Sequence, residues 1–338
     1  MARLKDIAKL ANVSIATVSR VLSNDDKFKV KNETRDLIFK IAKENNYKVK
    51  NKKDSNIIKN SNKKVALITG VSNKNQFSNP YFIELWNEVQ SSCTKRGYFV
   101  EYCHLNFVDI SKIKNSFDYF LVMGHINNKQ IKDILDYTNK VIFIGSSPPP
   151  VEYDSIRPNF QDGMNKIFEH IFTLNLDSLG FIGADVKISS NNESYGKIIP
   201  NERLILFKSK AQEADLFDKR YVMNGEYVMA SGYEMMENQI KTSNLAKAYI
   251  VANDFLAMGV VKALVDYNIK VPDDVKIISF DNSNLATYSS ISLTSLDLNI
   301  KSMAESIFLL IESRNNGRDF PIEISVPTKL IIRKSSQK

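Results

Sequence analysis

The stretch LKDIAKLANVSIATVSRVLS (residues 4–23) determines the fold of the N-terminal part of the chain. Apolar side chains in its first half recur at the three- and four-residue spacing of one helix face: Leu4, Ile7, Ala8 and Ala11. Asn12 is a suitable C-terminal stop for this helix. Ser14 can accept a hydrogen bond from a free N–H group at the start of a second helix, and Val13 can pack against Val18. The pattern predicts two short helices joined by a tight turn.

The second helix has an inner and an outer face. At about 100° per residue, Thr17, Val18 and Val21 fall on the side that packs against the first helix. The outer side, an arc of about 140°, carries four residues: Ile15, Ala16, Ser19 and Arg20. A third helix predicted at 33–47 completes the small core with Leu37, Ile38, Ile41 and Ala42. This arrangement predicts a helix-turn-helix.

The outer face of the second helix has the chemistry of a DNA-reading surface. Small or branched side chains contact thymine methyl groups in the major groove, and an arginine can donate to the acceptor edge of guanine. Serine and threonine hydroxyls can bind phosphates, which sets the register without reading sequence. Operator duplex DNA is therefore the predicted partner. The candidate DNA-binding residues are Ser14, Ile15, Ala16, Thr17, Ser19, Arg20, Ser23, Lys52 and Lys53.

The segment DIAKLANVSIATVSRVLS (residues 6–23) resembles the DNA-binding signature of the LacI/GalR repressors at nearly every position. The resemblance implies that Ile15 and Ala16 occupy the two variable base-reading positions and that Arg20 makes a third base contact. The plainer alternative is a three-helix bundle with no role on DNA.

The charge distribution supports a polyanion partner for the head alone. The net charge is +8 over 338 residues, yet residues 1–64 hold 17 Lys/Arg against 7 Asp/Glu, and the remainder holds 29 against 31. Two cysteines in so long a chain fit reduced thiols. With no apolar N-terminal run, we expect no export signal or membrane contact and a cytoplasmic protein associated with the bacterial nucleoid. Neither metal-ligand spacing nor a cofactor motif is present in the sequence.

Residues 48–64 are rich in Lys and Asn and predict a solvated linker. The LacI/GalR family usually has a hinge helix here, whose leucine wedges into the minor groove. This chain has Lys52, Lys53, Asp54 and Ser55 at those positions. The wedge leucine is therefore missing, unless Ile57 or Ile58 replaces it in another register, and a kinked operator centre is not expected. Lys52 and Lys53 still offer charge to phosphates.

From residue 65 onward, short β-rich runs alternate with helical patterns. Strands are predicted at 64–70, 98–103, 118–124, 140–145, 178–184, 220–225, 247–254 and 275–281. Helices are predicted at 81–96, 128–138, 160–174, 200–215, 229–241 and 254–267. This alternation is typical of parallel sheets wound on both faces, with ligands at the carboxyl ends of the strands.

The predicted fold class is a small all-α helix-turn-helix head followed by an α/β body of two doubly wound parallel-sheet subdomains. The family resemblance extends to this body, which is similar to periplasmic sugar-binding proteins. Chain crossings are expected near 158, 292 and 320. The predicted domains are a head at 1–47, a linker at 48–64 and a body at 65–338, with an N-subdomain at 65–157 and 293–319 and a C-subdomain at 158–292 and 320–338.

Polar and aromatic residues near strand ends are candidates for binding a small effector. The resemblance matches the family's ligand contacts to five of them, and His125 and Ser146 are added from their positions at strand ends. The full set is Tyr81, Phe82, His125, Ser146, Arg203, Asn253 and Asp281. Plainer roles remain open: Asn253 and Asp254 as helix caps, Phe82 as a core residue, Arg203 in a surface ion pair, and Trp86 in the core or a dimer contact.

These features together predict a homodimeric repressor of a sugar-utilisation operon, controlled by a small sugar, with galactose or a galactoside favoured by general likeness to that branch of the family. Control by a phosphoprotein is the alternative within the same class. An enzyme is disfavoured because the first strand lacks a Gly-x-Gly-x-x-Gly turn and no nucleophile–base pair is evident. An exported transport protein is disfavoured by the basic head.

Overall fold

The structure, a computed structural model, describes residues 4–22, 30, 33–34, 37–38, 41–42, 63–69, 79–104, 116–124, 132, 134, 138, 140–145, 152–187 and 198–337. The chain divides into two compact units. One contains residues 1–62 and 95–99, and the other contains residues 63–94 and 100–338. We call residues 1–62 the head and residues 63–338 the body.

The head contains the first two of the three helices that the sequence predicts, α1 (Leu4–Leu10) and α2 (Ile15–Leu22), while most of the third, predicted at 33–47, lies outside the described residues. Asn12 terminates α1 two residues after its last turn, because its φ of 49° is left-handed. There the Asn12 N–H donates to the Lys9 carbonyl at 3.4 Å and the Val13 N–H to the Ala8 carbonyl at 3.0 Å. These two bonds form a Schellman motif, which satisfies carbonyls that the helix end would leave free.

A single apolar cluster holds the head together. Its buried members are Ile7, Ala8, Ala11, Val18, Val21, Ile38, Ile41 and Ala42. The prediction that Leu37 belongs to this core is wrong, because its side chain is 44% exposed. Ile38, Ile41 and Ala42 share one helix face, and Leu37 falls at its margin, where it does not reach the cluster.

The body contains two six-stranded sheets with helices on the connections. The first half of the body supplies β1 (Lys64–Thr69), α3 (Pro80–Lys95), β2 (Phe99–His104), β3 (Tyr119–Met123), β4 (Val141–Ile144) and β5 (Asp154–Pro158). The second half begins with α4 (Phe160–Thr173), β6 (Leu179–Gly183), a small hairpin of β7 (Val186–Lys187) and β8 (Ile198–Ile199), α5 (Glu202–Glu213) and β9 (Phe217–Asn224). It continues with α6 (Met229–Lys241), β10 (Ala248–Val251), α7 (Asp254–Asp266), β11 (Lys276–Asp281) and α8 (Asn284–Tyr288).

The last segment supplies elements to both halves: β12 (Thr294–Asp297), α9 (Ile300–Asn315), β13 (Glu323–Val326) and β14 (Lys329–Ile331). The strand orders are β13-β5-β4-β3-β1-β2 and β14-β12-β11-β10-β6-β9. In these two sheets, the strand pairs that the structure describes are parallel, except that β12 and β14 are antiparallel. We call the halves built on these sheets the first and second lobes. The predicted doubly wound body is confirmed.

The strand pairing shifts two predicted lobe boundaries. β12 pairs with β11 and so belongs to the second lobe, whereas β13 pairs with β5 in the first. The chain therefore crosses between lobes at 298–299 and 327–328, and the predicted crossings near 292 and 320 are too early. Both strands have only four residues, and the partner of so short a strand is set by distant contacts rather than by its own pattern.

Candidate DNA-binding helix and effector cleft

Ser14 caps the N-terminus of α2. Its Oγ accepts a hydrogen bond from the Thr17 N–H at 3.0 Å and shares a second bond of 2.9 Å with the Thr17 Oγ1. Because only one of the two hydroxyl hydrogens lies between these oxygens, the other can be donated to an acceptor outside the helix. The cap thus leaves one donor at the helix start, where the helix dipole also favours an anion such as phosphate.

The outer face of α2 presents Ile15 and Arg20 to solvent. Ile15 is 52% exposed, which is high for a large apolar side chain, while Val18 and Val21 on the inner face are buried. The backbone of Ala16 and Ser19 lies in α2, and their side chains lie outside the described residues. The same holds for the whole of Ser23, Lys52 and Lys53.

Replacing Ser14 with alanine is expected to destabilise the start of α2 by about 1 kcal/mol, because the Thr17 N–H loses its acceptor. Hydrogen exchange of the α2 amides in the full-length protein measures this change. Ser14→Asn is the matched control, since asparagine caps helices about as well as serine. Equal loss of protection in both variants would contradict the assigned cap.

Tyr81 of the first lobe meets two charged residues of the second. It lies in the first turn of α3, where its N–H donates to the Asn79 Oδ1 at 3.1 Å, and its ring packs against the apolar cluster of the second lobe. Burial raises the pKa of the Tyr81 hydroxyl, the Asp281 charge adds to the rise, and the Arg203 charge opposes it. The Tyr81 ring therefore packs on the second lobe within electrostatic reach of Asp281 and Arg203.

The guanidinium of Arg203 is held in place from several sides. Its central carbon lies 4.9 Å from the ring centre of Phe160 and 5.6 Å from that of Phe280. Its Nε donates to the Asn201 Oδ1 at 3.3 Å, and the nearby Tyr227 hydroxyl favours its charged form. A guanidinium oriented in this way can present its remaining donors to a ligand in a fixed fork.

Asp281 ends β11 in a strained conformation. Its φ is 100°, a region that non-glycine residues rarely adopt, and that of the next residue, Asn282, is 50°. Asn282 is anchored by its N–H to the Ser295 Oγ at 2.9 Å and by its Oδ1, which accepts from Arg333 at 2.6 Å. Such strain costs about 1–3 kcal/mol and concentrates at ligand-binding positions.

Burial also raises the pKa of Asp281 well above its usual range. The Asp254 and Glu84 carboxylates add to this rise, and Arg203 opposes it. A carboxyl that carries a proton can donate one hydrogen bond as well as accept others. That versatility suits a ligand with hydroxyl groups.

Asn253 and Asp254 play different roles next to this site. Asn253 caps α7, because its Oδ1 accepts from the Leu256 N–H at 2.8 Å. The Asp254 carboxylate instead accepts hydrogen bonds from the Ser279, Ser283 and Ser295 hydroxyls at 2.5, 3.0 and 2.7 Å, and from the Ser283 N–H at 2.7 Å. It thereby ties β11, β12 and the start of α8 together beneath the cleft.

The remaining predicted effector residues are less closely joined to this cluster. The ring of Phe82 stands edge-on to Tyr81, with a centroid distance of 5.4 Å and an interplanar angle of 72°. His125 and Ser146 lie outside the described residues. Trp86 stacks on Tyr102 of β2 with ring centres 4.3 Å apart, so it packs on the first lobe.

Four members of the cluster were missed from the sequence: Asn201, Tyr227, Phe160 and Phe280. Tyr227 and Asn201 are themselves joined, since the Asn201 Nδ2 donates to the Tyr227 hydroxyl at 2.9 Å. Three of the four had a usable signal, because Phe160 begins the helix predicted at 160–174, Tyr227 lies shortly after the carboxyl end of β9, and Phe280 directly precedes Asp281. Asn201 had none beyond its suitability as the cap of α5.

The part of the chain that the structure describes contains neither a membrane-spanning helix nor a group of metal ligands. None of the helices there is both long and apolar enough to cross a membrane. No three His, Cys, Asp or Glu side chains among those residues are grouped as metal ligands would be.

Comparison with known proteins agrees with both parts of the chain. Residues 3–49 match the model described as "Bacterial regulatory proteins, lacI family", and residues 168–336 match "Periplasmic binding protein-like domain". "HTH-type transcriptional repressor MelR" of Bacillus subtilis (strain 168) is 31% identical over 340 residues, which cover 99% of this chain and 97% of that protein. "HTH-type transcriptional regulator GalR" of Streptococcus thermophilus is 29% identical over 341 residues, covering 100% of both chains.

Solved structures show the same fold. A "transcriptional regulator CelR-cellobiose complex" has a TM-score of 0.68 at 19% identity, covering 99% of this chain and 100% of that one. The lac repressor dimer bound to operator and the anti-inducer ONPF has a TM-score of 0.67 at 18% identity, covering 100% and 99%.

A helix-turn-helix head joined to a two-lobed ligand-binding body defines a DNA-binding transcriptional regulator of the repressor type. The chain belongs to the lacI family of bacterial regulatory proteins.

Proposed function

We propose that this regulator represses a sugar-utilisation operon and that a small sugar bound between the lobes changes its affinity for the operator. Galactose or a galactoside is the favoured effector. The observation that carries the proposal is the meeting of Tyr81 with Asp281 and Arg203 across the cleft. Carboxyl and guanidinium groups can each engage a pair of sugar hydroxyls, and an aromatic ring can lie against the sugar face.

The relatives give independent support for the kind of effector. GalR of Streptococcus thermophilus is similar over its full length, and the CelR structure of the same fold is a complex with cellobiose. Asn253 can contribute its side-chain NH₂ group, since its Oδ1 is used by the α7 cap. His125, Ser146 and Phe82 remain candidates for the rest of the ligand.

The proposed mechanism is a shift between two arrangements of the lobes. A sugar that contacts both lobes stabilises the arrangement in which Tyr81 faces Asp281 and Arg203. In a homodimer this shift alters the spacing of the two heads, which must lie about one helical turn of DNA apart to bind a palindrome together. The lac repressor dimer bound to operator is a precedent within the same fold. We propose α3 and α7 as the helices that supply the dimer contacts.

A gel-shift titration tests the effector. A palindromic site is first selected from a random-sequence duplex pool with the purified protein. Operator affinity is then measured with D-galactose, lactose, glucose and cellobiose, and we expect galactose or lactose to change it most. Unchanged affinity with every sugar would rule out the sugar effector and leave control by a phosphoprotein. A protein that selects no site would contradict the proposed DNA contacts of α2.

Arg20→Ala is expected to cost about 1–3 kcal/mol at one base pair of the operator and to relax selectivity there, because a base-reading arginine recognises guanine through two acceptors. Binding to a set of single-base operator variants measures this loss. Lys9→Ala, in the last turn of α1, removes the same charge from the other helix and should act evenly on all sequences. An even loss in Arg20→Ala would instead make Arg20 a phosphate contact.

A further inference from the structure

Helix α3 carries a second residue that reaches the other lobe. Glu84 lies three residues after Tyr81, so both side chains project from the same face of the helix. The Glu84 Oε1 accepts a hydrogen bond at 3.5 Å from the N–H of Asn284, which is the first residue of α8 in the second lobe. The first turn of α3 therefore meets the second lobe at two points, Tyr81 and Glu84.

The second lobe presents acidic groups to Glu84 from three elements. Asp254 comes from α7, Asp297 from β12, and Asp281 from the end of β11. Burial raises the pKa of Glu84, the Asn284 N–H opposes that rise, and the Asp254 and Asp297 charges add to it. An ionised Glu84 is therefore repelled by the surface against which it is packed.

We infer that Glu84 is a positioning residue of the effector cleft, which holds the first turn of α3, and with it Tyr81, against the second lobe most firmly when it carries a proton. The neutral acid still accepts from the Asn284 N–H and no longer repels Asp254 and Asp297. The inference rests on the proposed effector cleft, because it is Tyr81 that Glu84 positions.

The sign of the pH dependence follows from proton linkage. Bringing the lobes together raises the pKa of Glu84, so the closed arrangement binds more protons than the open one. Closure is favoured at acidic pH, and the advantage is lost as the pH rises through the raised pKa. Each pKa unit corresponds to about a tenfold change in the ratio of closed to open protein. Because the Glu84, Asp254 and Asp281 carboxyls interact, the protons belong to the group rather than to Glu84 alone.

Thermal melting of the full-length protein tests the inference without any ligand. Glu84→Gln mimics the protonated acid, so its Tm should equal that of the wild type at low pH and exceed it increasingly as pH rises to neutral, by roughly 2–4 °C for each unit of pKa shift. Glu88→Gln, one turn further along α3, is the matched control and should show a difference that does not change with pH. A purely structural role for Glu84 would give a constant difference as well.

Three results would overturn the inference: a constant Tm difference for Glu84→Gln, an equal pH dependence in Glu88→Gln, or failure of Glu84→Gln to fold, since the neutral side chain is claimed to fit better. Calorimetric titration with D-galactose adds a separate readout. We expect Glu84→Gln to bind galactose more tightly than wild type at pH 7.5 and equally at pH 5. If galactose binds neither protein while the melting result holds, the proposed effector fails and the role of Glu84 stands.

Discussion

Replacing Asp154 with asparagine is expected to destabilise the body by about 3–5 kcal/mol, more than any other single change considered above. Asp154 is 3% exposed at the start of β5. Its carboxylate accepts from Arg314 Nε at 2.8 Å, from Arg318 at 2.7 and 2.9 Å, and from the Ile322 N–H at 2.8 Å. Asparagine removes the charge and leaves the Arg318 side chain, itself 5% exposed, without its counter-ion.

The Asp154 cluster should also make stability depend on pH. Burial raises the pKa of Asp154, but hydrogen bonds from Arg318, Arg314 and the Ile322 N–H outweigh burial and lower it. The contribution is therefore present above the ordinary pKa of an aspartate and is lost as pH falls through the lowered value. Asp154→Asn should lack this part of the acid sensitivity.

Urea unfolding at several pH values measures both effects of the Asp154 change. Glu323→Gln is the matched control. Glu323 lies on β13, next to β5, and pairs with Arg157 at 2.8 Å, but its side chain is 40% exposed. An exposed pair contributes at most about 1 kcal/mol. Similar losses in the two variants would contradict the assigned importance of the buried cluster.

Replacing Arg203 with alanine is expected to weaken sugar binding by about 10- to 150-fold, because a lost hydrogen bond to a charged group costs about 1.5–3 kcal/mol and each 1.4 kcal/mol is tenfold. The side chain is already oriented by Phe160, Phe280 and Asn201, so its donors are available to a ligand without reorganisation. Arg203→Lys should also fail to restore binding, since an ammonium cannot form two parallel bonds.

Calorimetric titration with D-galactose and gel shifts with and without the sugar measure the Arg203 effect. Operator affinity without sugar should be unchanged, because the head folds around its own cluster. Arg220→Ala, which removes an exposed arginine paired with Asp218 in the same lobe, is the control and should respond to sugar as the wild type does. A normal sugar response in Arg203→Ala would remove Arg203 from the proposed site.

Local sequence patterns predicted most of the longer strands and helices of the body. The eight predicted strands and the helices at 160–174, 200–215, 229–241 and 254–267 correspond to elements of the structure within a few residues. Six further strands, β5, β7, β8, β12, β13 and β14, were not predicted. β5 contains a proline and two charged residues, and the other five are only two to four residues long, so they lack the apolar run that marks a buried strand.

The candidate site was predicted only in part, because local patterns show where elements begin and end but not what packs around those ends. Asp281 ends a recognisable strand, and Arg203 and Tyr81 lie at the starts of recognisable helices, so their positions at the ends of elements could be read from the chain. The sequence did not show which partners hold these side chains in place. Phe160 and Phe280 come from separate elements, and the aromatic spacing along the chain does not show that both rings flank one guanidinium.

By itself, the sequence determined the helix-turn-helix, its cap and the strand–helix alternation of the body, because each depends on side chains within about one or two helical turns of each other. Only the tertiary structure decided which lobe receives β12 and β13, what surrounds Asp254 and which acidic groups face Glu84. The serines that bind Asp254 are 25 to 41 residues away along the chain, and Asn284 is 200 residues from Glu84. Contacts across such separations are set by how the sheets pack, and no local pattern encodes them.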